Sequence, residues 1–132
     1  MSSNYMISIR EFEPKTAKAQ EEVERKIELR DKILESMRSL KLPKTFRDQK
    51  LAINVKFYLW GGTNVEGRKK KDLDNLLKIV CDVLPDYMDK DKQNPGLGLM
   101  ETDNSIYEIH CTKTIVLKEE DEGLDIEISE HQ

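Results

Sequence analysis

Two kinds of spacing between apolar residues divide the chain into strands and helices. Apolar and polar side chains alternate in four segments, as in strands with one buried face: 5–10, 51–60, 106–117 and 124–129. Apolar residues recur every three or four positions in two other segments, as in helices with one buried face: about 16–40 and 72–84. The pattern therefore predicts the element order β-α-β-α-β-β.

This order favours an α+β fold in which a single mixed four-stranded sheet carries both helices, mainly on one face. The 132 residues suit one domain with one hydrophobic core, which we expect to span 1–132. The strands on either side of the second helix are either parallel neighbours or separated in the sheet, and the pattern leaves both arrangements open. Residues 119–123 indicate an acidic hairpin turn, and 86–100 indicate a mobile loop.

The first predicted helix, over 16–40, is long for a small domain, at roughly 35 Å. One interpretation is a coiled-coil or dimer helix. The other, which we favour, is a surface helix covering one face of the sheet, because charged residues separate its apolar positions.

Charge narrows the classes of function. Lysine and arginine together number 22 against 26 aspartates and glutamates, so the formal net charge is -4 and no global positive field attracts nucleic acid. Attraction to a polyanion would need a local patch. The clearest local patch is a basic run: Arg68, Lys69, Lys70 and Lys71.

Cysteine usage and the lack of long apolar runs indicate the compartment. Cys81 and Cys111 fall inside a predicted helix and a predicted strand, and their spacing does not fit a zinc site. We interpret both as small buried apolar residues in a reducing compartment. The first residues lack the apolar run of a signal peptide, and no segment is long enough to span a membrane. We therefore expect a cytoplasmic protein without a membrane partner.

The densest set of polar groups lies where the second helix begins. Asp72 is predicted to be the N-cap, with its carboxylate accepting hydrogen bonds from first-turn N–H groups. Asp74, in that first turn, is favoured by the positive end of the helix dipole. A capped helix behind a solvated basic run would explain this much. Asn75 and Lys78 add more polar groups than a cap requires, although Lys78 also fits an i,i+4 ion pair with Asp74.

Asp103 comes just before the third strand, where the chain returns to the sheet, and we expect it beside Asp72 and Asp74. Three carboxylates in one place raise one another's pKa, and a magnesium ion, which prefers oxygen ligands, resolves that conflict. Such an ion activates water for in-line attack on a phosphate ester. Lys78 would stabilise the charge that develops in the transition state, and the basic run would bind neighbouring phosphates.

The remaining polar candidates are weaker. Lys113 follows Asp103 by ten residues, roughly 33 Å along an extended strand, so we do not expect both in one site of one subunit. His110 and His131 have no visible partner at useful spacing, and we expect both to be incidental. Asp82 either supports Lys78 through an i,i+4 contact or is solvated.

These residues resemble the RusA-like Holliday junction resolvases. The resemblance lies in three stretches: Lys71-Asp72-Leu73-Asp74-Asn75-Leu76 with Lys78, then Asp82-Val83-Leu84, and Asp103-Asn104-Ser105-Ile106 before a strand. It is specific over 68–84, fair over 103–129, and limited to element order over 1–50. The family consists of small homodimeric, magnesium-dependent endodeoxyribonucleases of bacteria and their prophages.

The resemblance implies that Asp72, Asp74 and Asp103 bind the metal and take part in catalysis. It implies that Lys78 is catalytic, and that Lys71 with its cationic neighbours contacts DNA. The implied activity is resolution of four-way junctions by paired nicks in DNA recombination and repair, with Mg²⁺ as cofactor and Mn²⁺ as a possible substitute. A homodimer follows, because two symmetry-related strands must be cut, and its interface is predicted on the first helix or a sheet edge.

Two departures from the family pattern bear on substrate choice more than on metal binding. Residues 11–16 stand where many relatives carry a Pro-rich, Asn-containing loop, and Thr102 stands where relatives often have a second Asp. Two other functions remain open. One is a non-catalytic nucleic-acid-binding module that uses the basic run 68–71, and the other is an interaction protein built on the first helix.

Overall fold

A computed structural model describes residues 4–16, 19–37, 46–62 and 70–131. Within these ranges the chain forms four strands and two α-helices in the predicted order. Their bounds are β1 Tyr5–Arg10, α1 Glu22–Met37, β2 Leu51–Trp60, α2 Leu73–Val83, β3 Ile106–Val116 and β4 Gly123–Glu130.

The strands form one mixed four-stranded sheet in the order β1-β4-β2-β3. β4 runs antiparallel to both β1 and β2, whereas β2 and β3 are parallel neighbours. This confirms the α+β fold and decides between the two arrangements that the pattern left open. Because β2 and β3 run in the same direction, α2 carries the chain from one end of the sheet back to the other.

The predicted hairpin between the last two strands is wrong. A 3-10 turn at Glu119–Asp121 does connect them, but β4 pairs with one edge of β2 and β3 pairs with the other. The connection therefore crosses β2. Among the described residues, β3 is left as an edge strand of the sheet.

The core lies on one face of the sheet, beneath both helices. Alternate residues of β2 are at most 1% exposed, as the strict alternation predicted. The helices α1 and α2 contact each other as well as the sheet, so both lie on the same face, as predicted. The core includes Ile7, Leu29, Ile33, Ile53, Phe57, Leu76, Val80 and Ile126.

Helix α1 is shorter at its start than predicted. It begins at Glu22 after a 3-10 turn at Ala19–Glu21, whereas we expected a helix from about Thr16, and 38–40 lie outside the described residues. Its buried residues, including Leu29 and Ile33, pack in the core, which supports a helix covering one face of the sheet. No helix in the described ranges combines the length and apolar character needed to cross a membrane.

The segment after α2 has no helix or regular strand, as predicted, but its contacts do not match the mobile loop that we expected. The Leu97 and Leu99 amides donate to the Val83 and Leu84 carbonyls at 2.8 and 2.9 Å. Leu99 and Met100 are buried in the core. These contacts attach the segment to the C-terminal end of α2 and position the chain before β3.

Gly123, the first residue of β4, tests the packing of the β1–β4 pair. An added Cβ would collide with the Ile9 carbonyl oxygen, so Gly123→Ala should lower the free energy of unfolding by about 1–3 kcal/mol in urea titrations. Ser129→Ala on the same strand is the control and should cost less than about 0.5 kcal/mol. Equal stability of both variants would contradict the close approach of β1 and β4.

Candidate metal and DNA-binding site at the start of α2

The start of α2 forms as the sequence predicts. Asp72 is the N-cap with an extended backbone, φ -74° and ψ 133°, and the Leu76 amide donates to the Asp72 carbonyl at 3.0 Å. At the other end Leu84 is the C-cap, directly before Pro85. Proline lacks the N–H that a continuing helix needs.

The Asp72 carboxylate does not cap the helix, which corrects one part of the prediction. Its side chain makes no cap hydrogen bond, and instead one Oδ lies 3.5 Å from Asn75 Nδ2. The Asp74 carboxylate accepts a hydrogen bond from the Asn75 amide at 3.0 Å. Both side chains are exposed, and neither forms an ion pair with any residue that the structure describes. Two negative charges are therefore left open to solvent near the positive end of the helix dipole.

Lys113, rather than Asp103, reaches the start of α2. The Lys113 ammonium donates to the Lys71 carbonyl at 3.0 Å, one residue before Asp72. This contact places the C-terminal half of β3 beside the helix N-terminus. The reason is the parallel pairing of β2 with β3, because a helix joining parallel strands begins at their C-terminal ends.

Asp103 lies at the opposite end of α2. It begins the 3-10 turn before β3 and lines a cleft of about 500 Å³ with Lys78, Cys81 and Asp82. Burial, together with the nearby charges of Asp103 and Asp82, raises the pKa of the Cys81 thiol to about 12. The eleven residues of α2 give a length of about 16 Å.

The structure therefore does not bring Asp72 and Asp74 together with Asp103 inside one chain. Among the described residues, no three His, Cys, Asp or Glu side chains form a group that could hold a metal ion. The metal-binding and catalytic roles of these three aspartates remain predictions. Within one chain, Asp72 and Asp74 form a pair at the start of α2, and Asp103 lies alone near the other end of the helix.

Lys78 pairs with the other helix and not with its own. Its ammonium lies 2.6 Å from Glu22 of α1, and the Asp82 carboxylate lies 3.0 Å from Lys26, also of α1. The sequence suggested i,i+4 contacts of Lys78 with Asp74 and with Asp82. Ion pairs between the two helices replace both contacts. The hydrogen bond from Lys78 lowers the pKa of Glu22 and raises the pKa of Lys78.

The basic run divides into parts with different environments. Lys71 is mostly buried, with its ammonium 2.7 Å from both the Glu13 carboxylate and the Pro14 carbonyl. It therefore holds the segment after β1 against the start of α2. Lys70 is exposed, while Arg68 and Lys69 lie outside the described residues.

Sequence reasoning missed an acidic surface at the same end of the sheet. A cleft of about 470 Å³ there is lined by Phe12 and five glutamates: Glu11, Glu13, Glu119, Glu120 and Glu122. The Glu122 carboxylate is buried and accepts a hydrogen bond from the Trp60 amide at 2.9 Å. The strand order brings these residues together, because β1 and β2 end where β4 begins. The sequence shows the acidic run after β3, but it does not show that Glu11 and Glu13 lie beside that run.

Comparisons of this chain with protein-family models, with curated proteins and with solved structures found no match. The function proposed below is therefore argued from the residues at the start of α2, their charges and their neighbours.

The Lys78–Glu22 bridge gives a titration that can be measured. Because Lys78 donates to Glu22, Lys78→Met should return the Glu22 pKa toward its usual value of 4.5, as followed by carboxyl carbon NMR. A carboxyl group whose pKa is lower in the folded protein than in the unfolded chain stabilises the fold at pH values above the unfolded pKa. This stabilisation is lost as the pH falls through the folded pKa. The wild type should therefore lose more stability below about pH 4.5 than the variant does.

Lys32→Met, elsewhere on α1, is the matched control and should leave the Glu22 pKa low. A Glu22 pKa that is the same in wild type and Lys78→Met would contradict the bridge.

Proposed function

We propose that this protein is a magnesium-dependent, structure-selective endodeoxyribonuclease that cuts four-way DNA junctions by paired nicks, in recombination and repair. The observation that carries the proposal is the pair of exposed carboxylates, Asp72 and Asp74, at the start of α2. They are unpaired with cations in the described residues, so their charge is available to a bound cation.

The two carboxylates fit a magnesium ion in particular. Magnesium is commonly held by one or two carboxylates, with water and substrate phosphate oxygens completing six ligands. Asn75 contacts both acids, since its amide donates to Asp74 and its side chain lies 3.5 Å from Asp72. It thereby restricts where the two carboxylates point. When bound, the ion would polarise a phosphate oxygen and lower the pKa of a coordinated water.

Lys78 supplies a permanent positive charge one turn after Asp74. Its side chain is about half exposed, and its hydrogen bond to Glu22 raises its pKa further above neutral pH. A protonated amine beside the scissile phosphate would stabilise the negative charge that develops in the transition state. Glu22 consequently acts as a positioning residue for Lys78.

The alternative is a non-catalytic nucleic-acid-binding module that uses the basic run 68–71. Lys71 is bound to Glu13 and Pro14, so such a module would depend on the other three cations, of which Lys70 is exposed. The alternative also leaves the two exposed aspartates without a role, and they would repel DNA unless a cation lay between. An interaction protein built on α1 is weaker still, because the apolar face of α1 is packed in the core.

Homodimerisation and a cytoplasmic location belong to the same proposal. A four-way junction offers two symmetry-related strands, and a two-fold dimer offers two sites in that relation. Two cysteines that form no disulfide in the structure fit a reducing compartment.

Asp74→Asn tests the nuclease directly. The variant loses one carboxylate charge while keeping the shape of the side chain, so cleavage of a labelled four-way junction in Mg²⁺ should fall at least about 100-fold. Chelator should abolish cleavage by the wild type. Binding to the junction should persist in a mobility shift.

Asp31→Asn is the matched control, because Asp31 is an exposed carboxylate on α1 whose partner is the adjacent Arg30. It should leave cleavage unchanged. Cleavage by Asp74→Asn at the wild-type rate would contradict the proposed site, and a folded wild type that binds but does not cut would favour the binding module.

Salt dependence tests which cations contact DNA. Each phosphate contact contributes about 0.9 to the slope of log K against log salt for duplex DNA. Changing Arg68, Lys69 and Lys70 together to alanine should reduce that slope by about 2 to 3, measured by fluorescence anisotropy. Lys71→Met should instead lower the thermal stability and leave the slope nearly unchanged. A reversed result would show that Lys71 is the DNA contact.

A further inference from the structure

Four charged side chains of alternating sign form a row between the two helices. Helix α2 contributes Lys78 and Asp82, and α1 contributes Glu22 and Lys26. The Glu22 carboxylate lies 2.6 Å from the Lys78 ammonium and 3.8 Å from the Lys26 ammonium. Lys26 in turn lies 3.0 Å from the Asp82 carboxylate. We call these four residues the charge row, and each of them has a neighbour of opposite sign.

Lys26 is the most buried member of the charge row. It is 8% exposed, and Glu122 is the other charged residue that the described part of the chain buries. Burying a charge is unfavourable unless opposite charges lie beside it, and here Glu22 and Asp82 both lie beside Lys26. Because the protein surrounds Lys26, its ammonium holds the Glu22 carboxylate more firmly than an exposed and mobile lysine would.

Lys78, at the exposed end of the charge row, is the lysine that the proposed nuclease uses. An ammonium group has three hydrogens to donate, and Glu22 accepts one of them at 2.6 Å. Among the described residues Lys78 has no other hydrogen-bond acceptor, so its remaining hydrogens are available to phosphate oxygens. The ion pair with Glu22 thus fixes the ammonium without occupying all of it.

The same ion pair has a cost for catalysis. Glu22 places a negative charge next to the positive charge that would stabilise the transition state, and the two fields partly cancel at the phosphate. Lys26 offsets this effect, because its charge lies beside the other oxygen of the same carboxylate. The hydrogen bond from Lys78 lowers the pKa of Glu22 most, and the charge of Lys26 lowers it further. Without Lys26, the charge row would carry a net negative charge.

We propose that Lys26 is a positioning residue for the nuclease, which holds the Glu22 carboxylate in place beside Lys78 and offsets the negative charge of that carboxylate. Asp82 in turn holds Lys26, so helix α1 contributes to the site through this ion pair. The inference rests on the proposed nuclease function. It requires no contact between Lys26 and the substrate.

A purely structural role is the competing explanation. Ion pairs between α1 and α2 also hold the two helices together, and the loss of one partner would lower stability. That role predicts that changes to the charge row affect cleavage only through the amount of folded protein. It also predicts that the loss of a second member makes the protein worse. The proposed role predicts the reverse for Glu22, whose carboxylate opposes Lys78 once Lys26 is neutral.

Lys26→Gln tests the role in cleavage. The new side chain is neutral but can still donate a hydrogen bond to Asp82, so the charge row loses one positive charge with little change in packing. In junction cleavage with Mg²⁺, kcat should fall about tenfold, less than for a group that itself touches the phosphate. KM should change less than about threefold, since Lys78 acts mainly on the transition state. Lys26→Arg, which keeps the positive charge, should retain most of the wild-type kcat.

Lys32→Met, elsewhere on α1, is the matched control and should leave kcat unchanged. If Lys26→Gln does not fold, as judged by circular dichroism, Lys26→Met replaces it in the same measurement. A folded variant that cuts at the wild-type rate would overturn the role of Lys26 and leave the nuclease intact. A wild type that cuts no junction would instead overturn the nuclease, and the role of Lys26 in cleavage with it.

The double variant Lys26→Gln/Glu22→Gln separates charge from packing. It removes one base and one acid, so the remaining charges of the charge row again cancel, and the new amide oxygen at position 22 can still accept from Lys78. kcat should recover to within about threefold of the wild-type value. A double variant that is as slow as Lys26→Gln, or slower, would indicate a structural role and overturn the proposal.

Carboxyl carbon NMR tests the charge row without DNA. In Lys26→Gln the pKa of Glu22 should rise toward its usual value of 4.5, but less than in Lys78→Met, because the hydrogen bond from Lys78 is the larger influence. In Lys32→Met the pKa of Glu22 should stay low. A Glu22 pKa that Lys26→Gln leaves unchanged would show that Lys26 does not act on this carboxylate, and would overturn the proposal whatever the activity.

Discussion

The parallel pairing of β2 with β3 is the constraint on which the rest of the structure depends. Parallel neighbours need a connection that returns along the sheet, and here α2 is that connection. The pairing fixes the start of α2 at the C-terminal ends of the strands, where Lys113 reaches the Lys71 carbonyl. It also places Asp103 at the other end. The separation of the predicted carboxylates follows from this one pairing.

Much of the fold is predictable from local pattern. The alternation over 51–60 gave β2, and the apolar spacing between Asp72 and Pro85 gave α2 with its ends. Strand order was harder, because β4 inserts between β1 and β2 and no local signal distinguishes that from a hairpin with β3. The burial of Leu99 and Met100 was missed for the same reason, since their partners are distant parts of the core.

The site was predicted in its residue types more than in its contacts. Asp72 and Asp74 lie at the helix start, as their position before an apolar run indicated. The sequence pairs Lys78 with acids on its own helix, yet it contacts Glu22, 56 positions away. Lys71 was predicted to contact DNA, yet it contacts Glu13, 58 positions away. Tertiary packing determines which partner a long side chain contacts, and the spacing of residues along one helix does not reveal that partner. Asp103 does not lie beside Asp72, because it precedes the N-terminal end of β3, whereas a helix that joins parallel strands begins at their C-terminal ends.

The central claim is that the start of α2 binds a divalent cation, and paramagnetic broadening of amide NMR signals by Mn²⁺ tests it most directly. The claim predicts that substoichiometric Mn²⁺ first broadens the amides of 72–75, and that excess Mg²⁺ restores them. Broadening centred on the acidic residues at 119–122, with 72–75 unaffected, would contradict it. That result would move the cation to the acidic surface and leave Asp72 and Asp74 as ordinary residues of a helix start.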